Sequence, residues 1–120
     1  MWGGSYNYRV RAKNTRGYGP YSTSLVVAMP KAPTVAPTLT LTSKSLAALA
    51  FSWNALTLAT DTGSCTITHY WLRYRLSTTT GGDSTWTNVT GTTDYLTTTY
   101  SLTSGFVAAT TYNFQIRAEN

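Results

Sequence analysis

The sequence predicts an all-β fold, a sandwich or barrel, on three observations. Apolar and polar residues alternate with period two in almost every segment, and no segment shows a helical period. Of the 120 residues, 25 are Thr and 9 are Tyr while only 11% are charged, a composition that suits pleated, half-exposed surfaces. Short candidate strands recur along the chain, punctuated by Gly, Pro, Asn and Asp.

Residues 6–12 put Tyr6, Tyr8, Val10 and Ala12 on one face and Arg9, Arg11 and Lys13 on the other. Residues 14–20, rich in Asn, Gly and Pro, read as a turn. Residues 21–29 read as a strand with Leu25, Val27 and Met29 on one side. Pro30, Pro33 and Pro37 make residues 30–37 an extended, semi-rigid linker.

A second set of strands follows. Leu39 and Leu41 alternate with threonines, and Leu49, Phe51 and Trp53 share a face. Residues 55–66 read as a polar loop. Residues 67–76 place Tyr70, Leu72, Tyr74 and Leu76 inward, with His69, Trp71, Arg73 and Arg75 outward. Gly81-Gly82-Asp83 makes a turn before a short strand marked by Trp86. Tyr100 and Leu102 mark the next strand, and Tyr112, Phe114, Ile116 and Ala118 face inward on the last.

Composition narrows the chemistry. One His, one Cys and four acids (Asp61, Asp83, Asp94 and Glu119) exclude a Cys/His zinc site, a disulfide framework and an EF-hand. No Ser has an activating partner, and His69 lacks a second ligand, so no catalytic, cofactor or metal site is expected. Cys65 reads as a free, unreactive thiol because no basic residue adjoins it. The net charge of +5 suits an anionic partner, but no dense Lys/Arg cluster marks a nucleic-acid binder. No stretch is long and apolar enough for a membrane span. Met1-Trp2-Gly3-Gly4-Ser5 has neither the charged nor the apolar part of a secretory leader, so the expectation is a processed chain or a piece of a longer one.

A repeat lies in the chain. Residues 6–14 read YNYRVRAKN and residues 112–120 read YNFQIRAEN, with five of nine positions identical at an offset of 106 residues. That spacing is one sandwich domain rather than a short solenoid repeat.

These residues give the chain its resemblance to fibronectin type III modules, out of phase. Residues 33–120 resemble strands A, B, C, C′, E and F of one module. The features are the Pro33/Pro37 entry, Trp53 ending B, ITHYWLRYR (67–75) as C, Tyr100-Ser101-Leu102 as E, Phe106 before the corner and Tyr112 in F. The resemblance implies a tyrosine corner at Tyr112. Residues 6–29 resemble strands F and G of a preceding module, with RAKN followed by GYGPYS. The division is therefore 1–29, a possible donor segment; 30–37, the linker; and 38–120, a module without its strand G.

A missing strand G withholds about three inward apolar side chains, at ~1.5–3 kcal/mol each, and leaves strand F with unpaired backbone groups. That total of roughly 5 kcal/mol or more is comparable to the ~5–15 kcal/mol stability of a domain. Completion by residues 17–29 of the same chain requires the linker to run about the length of the sandwich, ~25–30 Å, near its limit. The alternatives are strand addition from a neighbouring copy, giving a head-to-tail filament, or a strand supplied by the next part of a tandem array. In these, Leu25, Val27 and Met29 are the assembly strand, and Tyr112, Phe114 and Ile116 line the acceptor edge.

The resemblance implies an extracellular, non-catalytic structural protein whose partner is itself. Two other roles are open: a spacer of a secreted carbohydrate-active enzyme, or an adhesion or receptor ectodomain with a protein ligand. The resemblance makes strands C and F neighbours, which implies one outer face for Trp71, Arg73, Arg75 and Arg117; it suits an acidic or sulfated glycan, or is a solvated face with Arg stacked on Trp71. Asn88-Val89-Thr90 is a glycosylation sequon on an expected edge strand, and the Thr78–Thr80 and Thr97–Thr99 runs suit O-glycans. Arg16-Gly17-Tyr18 lacks the Asp of the receptor-binding tripeptide of some relatives.

Overall fold

The computed structural model describes residues 4–120; Met1–Gly3, where the leader reading and the 1–29 segment begin, lie outside them. The chain divides between Lys31 and Ala32 into two units.

The first unit holds β1 (Ser5–Tyr8), β2 (Arg11–Asn14), β3 (Gly17–Tyr21) and β4 (Leu25–Ala28). β1 pairs with β4 and β2 with β3, all antiparallel. The strand expected over 6–12 is thus broken at Arg9 and Val10. There the Val10 N–H donates to Ser22 Oγ at 3.1 Å, and the Ser22 N–H donates to the Val10 carbonyl at 2.8 Å. The turn expected over 14–20 is shorter. Asn14 Oδ1 accepts the Arg16 N–H at 2.8 Å, and Gly17 takes the positive φ of 133° that the reversal needs. Gly17–Tyr21 is already strand, and Pro20 is tolerated because β3 is paired on one side only.

The second unit is two three-stranded sheets. One carries β5 (Leu39–Lys44), β6 (Leu49–Trp53) and β9 (Thr99–Leu102) in the order β5-β6-β9. The other carries β7 (His69–Leu76), β8 (Thr87–Asn88) and β10 (Tyr112–Glu119) in the order β10-β7-β8. The long pairing of β10 with β7 runs from Tyr112 opposite Leu76 to Glu119 opposite His69. These orders match strands A-B-E and F-C-C′ of the resemblance.

Period two puts the core between the sheets. Phe51, Trp53 and Leu102 from one sheet meet Tyr70, Leu72 and Ile116 from the other. Phe51 and Phe114 bring their rings to 4.5 Å across the layers. Burial of each such side chain stabilises the fold by about 1.5–3 kcal/mol. The Tyr70 hydroxyl accepts the Leu56 N–H at 3.0 Å, so its polar end is satisfied within the core.

Two expectations for this unit are corrected. The polar loop over 55–66 contains one helical turn, α1 (Ala59–Thr62), ended by Gly63 at φ 71°. A single turn is too short to leave a period in the sequence. His69, expected outward, is buried. Its ring lies tilted with its centroid 4.2 Å from that of Trp71, and its Nδ1 accepts the Tyr95 N–H at 3.1 Å, so a distant loop covers a position that alternation leaves open.

The second half of the Pro-rich stretch is fastened down. The Thr34 N–H donates to the Asp61 carbonyl at 2.9 Å, and Thr34 Oγ1 donates to the Thr60 carbonyl at 2.8 Å. Pro37 is buried.

Candidate functional site

β10 pairs with β7 on one side and with no described strand on the other. Asn113, Gln115, Arg117 and Glu119 turn their backbone groups to β7, as the Ser77 N–H bonded to the Thr111 carbonyl at 3.0 Å fixes the alternation. Tyr112, Phe114, Ile116 and Ala118 therefore present N–H and C=O groups along the open edge. The same residues send their side chains inward, so the edge is both polar backbone and apolar lining.

Beside that edge a cleft of about 470 Å³ runs between β5 and β10, lined by Leu39, Leu41, Leu49, Phe51, Tyr112 and Phe114 together with Lys44, Thr110 and Thr111. Leu41 keeps 48% of its surface exposed at this place, although its alternation with threonines marks it as inward-facing. Tyr112 and Phe114 are half-buried and Ile116 is buried. The structure thus gathers the three expected acceptor residues on one edge. It adds Leu39, Leu41 and Leu49, whose apolar alternation on β5 and β6 was the available signal.

The expected assembly strand lies on the first unit. Leu25 and Val27 sit in β4, opposite Tyr8 and Tyr6, and the Met29 N–H just beyond donates to the Gly4 carbonyl at 2.8 Å. Leu25 is 64% exposed, Val27 36% and Met29 37%. Every residue from 5 to 31 is exposed, so this ribbon has strand pairing but no core.

The outer face of β7 and β10 collects Trp71, Arg73, Arg75 and Arg117. Arg117 lies over the Trp71 ring at 5.6 Å. Arg73 and Arg75 lie instead over Trp86, at 4.6 and 4.4 Å, a ring that the sequence marked only as a strand start. Arg73 also donates to Asp83 Oδ1 at 2.9 Å and to Gln115 Oε1. That hydrogen bond and the Arg73 charge hold the Asp83 carboxyl below the usual range. Arg75 donates to the Gly81 carbonyl and to Thr85 Oγ1. Donors of the Arg73 and Arg75 guanidinium groups are therefore already directed into the protein.

Asn88 is exposed on β8, the edge strand of its sheet. Thr90 of the same sequon is buried, and its Oγ1 accepts the Leu72 N–H at 3.1 Å. Among the described residues no group of three or more His, Cys, Asp or Glu is placed to hold a metal. Cys65 is a free thiol. No helix among them is long and apolar enough to cross a membrane.

The Tyr112 hydroxyl accepts the Val107 N–H at 2.9 Å, forming the tyrosine corner. With the strand orders above, this defines the class: the fold is that of a fibronectin type III module. The chain is similar to the crystal structure of chicken CNTN1 FN1-FN3 domains, with a TM-score of 0.58 and 22% identity, over 100% of this chain and 38% of that one. No protein-family model matches the sequence, and no curated relative matches it.

Proposed function

We propose that this is a non-catalytic, extracellular structural protein whose modules assemble head to tail, each open β10 edge being completed by a strand from its neighbour. The observation that carries the reading is the outer edge of β10, on which no described strand pairs, beside the largely apolar β5–β10 cleft. Unpaired strand edges over apolar surface are templates for another strand, because backbone bonds give affinity and alternate side chains give fit. A head-to-tail contact of this kind is heterologous, so it extends into an array or filament unless it closes into a ring. The alignment of the whole chain within a run of FN domains supports the tandem form of the same arrangement. The exposed position of Asn88 supports a glycosylated surface.

Sedimentation velocity of the 120-residue chain over a range of concentrations tests the proposal. The expected result is a growing series of species, abolished by Leu41→Asp in the cleft. A single monomeric species with one sharp, cooperative melt overturns it.

A further inference from the structure

We propose that the strand completing β10 is residues 17–28 of a second copy, docked in the register those residues hold against β1 and β2. The inference rests on the reading of β10 as an acceptor and goes beyond it by naming the donor, its alignment and the residues that select it.

The chain carries two near-copies of one strand, residues 6–14 and residues 112–120, and the structure shows what the first copy pairs with. Tyr6 stands opposite Val27, Tyr8 opposite Leu25, Arg11 opposite Tyr21 and Asn14 opposite Gly17. Advancing the first member of each pair by the repeat offset of 106 puts Tyr112 opposite Val27, Phe114 opposite Leu25, Arg117 opposite Tyr21 and Asn120 opposite Gly17.

That register gives each donor side chain a suitable neighbour. Directly opposed residues share a face of the sheet. Leu25 and Val27 therefore enter the cleft with Phe114 and Tyr112, where Leu41 is exposed. Both are exposed in the coreless ribbon, so the exchange replaces one ladder with a closely similar one and removes apolar surface from water. Tyr18 and Tyr21 take the outer face. On the first unit Arg11 lies over these two rings, at 3.8 and 4.6 Å. Arg117 stands at the corresponding place on β10, so its cation meets the electron-rich ring faces of an otherwise uncharged donor. Glu119, which stands where Lys13 does, already accepts a hydrogen bond from Trp71 Nε1.

Cysteine cross-linking between two differently tagged copies tests the register, with Cys65→Ser in both. Val26→Cys in one copy is mixed with Asn113→Cys in the other, since Asn7 stands opposite Val26 and Asn113 is its counterpart. Gln115→Cys, two residues away, is the displaced control. A disulfide needs a close Cβ approach, so the expected yield of the mixed 26–113 bridge is about five-fold or more above that of 26–115. Equal yields overturn the register. A 26–113 bridge formed within single chains of the double variant at high dilution overturns the second-copy donor. Assembly in sedimentation without either bridge overturns the donor assignment and leaves the acceptor reading standing. A monomer at every concentration removes both.

Discussion

The hydroxyl of Tyr112 accepts a hydrogen bond from the backbone N–H of Val107, five residues upstream, at 2.9 Å. This bond ties the loop after β9 to the first residue of β10, and so sets where the open edge begins. Tyr112→Phe removes the acceptor and keeps the ring, which meets Tyr74 edge-on at 5.7 Å. The expected loss is about 1 kcal/mol in denaturant unfolding, the usual net worth of such a bond. An unchanged midpoint would show that the corner does not contribute to the fold.

Gly105 and Tyr74 are coupled. The Tyr74 hydroxyl donates to the Gly105 carbonyl at 2.8 Å, Gly105 has φ +83°, and a Cβ built on it falls 2.5 Å from the Tyr74 oxygen. Gly105→Ala is expected to cost about 1–3 kcal/mol from backbone strain and the clash together. Combining it with Tyr74→Phe should return part of that loss, because the clashing atom is gone. A double-mutant cycle on unfolding free energies reads the coupling, and strict additivity would contradict the described contact.

The sequon separates into two roles. Asn88→Gln is expected to leave unfolding of the unglycosylated chain unchanged within about 0.5 kcal/mol, as exposed substitutions do. Thr90→Ala leaves the Leu72 N–H without its buried acceptor and is expected to cost about 1–3 kcal/mol. In a secretory host, mass spectrometry should show the same lost glycan in both variants. Equal stability of the two variants would contradict the Thr90–Leu72 bond.

Two groups give stability a pH dependence of opposite sense. Asp83 is held below the usual carboxylate range by the Arg73 hydrogen bond and charge. Its contribution is present above the unfolded carboxylate pKa of about 3.9 and lost as pH falls through the lower folded value. The Asp83 carboxyl is largely exposed, so Asp83→Asn should shrink the acid-side slope at low salt and do little at high salt. Tyr95 is raised by burial and then by Tyr100. Its contribution is present below the unfolded tyrosine pKa of about 10 and lost as pH rises through the raised folded value. Thermal melts from acid to alkaline pH check both, and Tyr95→Phe should flatten the alkaline limb.

The strands were legible because period two survives wherever a sheet has one dry face. Phe51/Trp53, Tyr70/Leu72 and Ile116 stand in the core as their alternation requires. Residues 17–20 carry a turn signal in their Gly and Pro, while their pairing in β3 is settled by β2. The burial of His69 depends on Tyr95, 26 residues away, and no local pattern encodes such a cover. The same holds for Arg73 and Arg75, which find Trp86 rather than Trp71 because β8 pairs beside β7. The open side of β10 was legible from the strand order that the resemblance implies, and the cleft beside it followed only once β5 and β10 were placed.

Four backbone amides, those of Tyr112, Phe114, Ile116 and Ala118, lie on the open side of β10. Residue-resolved hydrogen exchange across a dilution series measures them directly. The account predicts fast exchange in the dilute chain and protection that rises with concentration, while the amides facing β7 stay protected throughout. Protection of all four at the lowest concentration would mean that the chain closes its own edge, and would contradict the account.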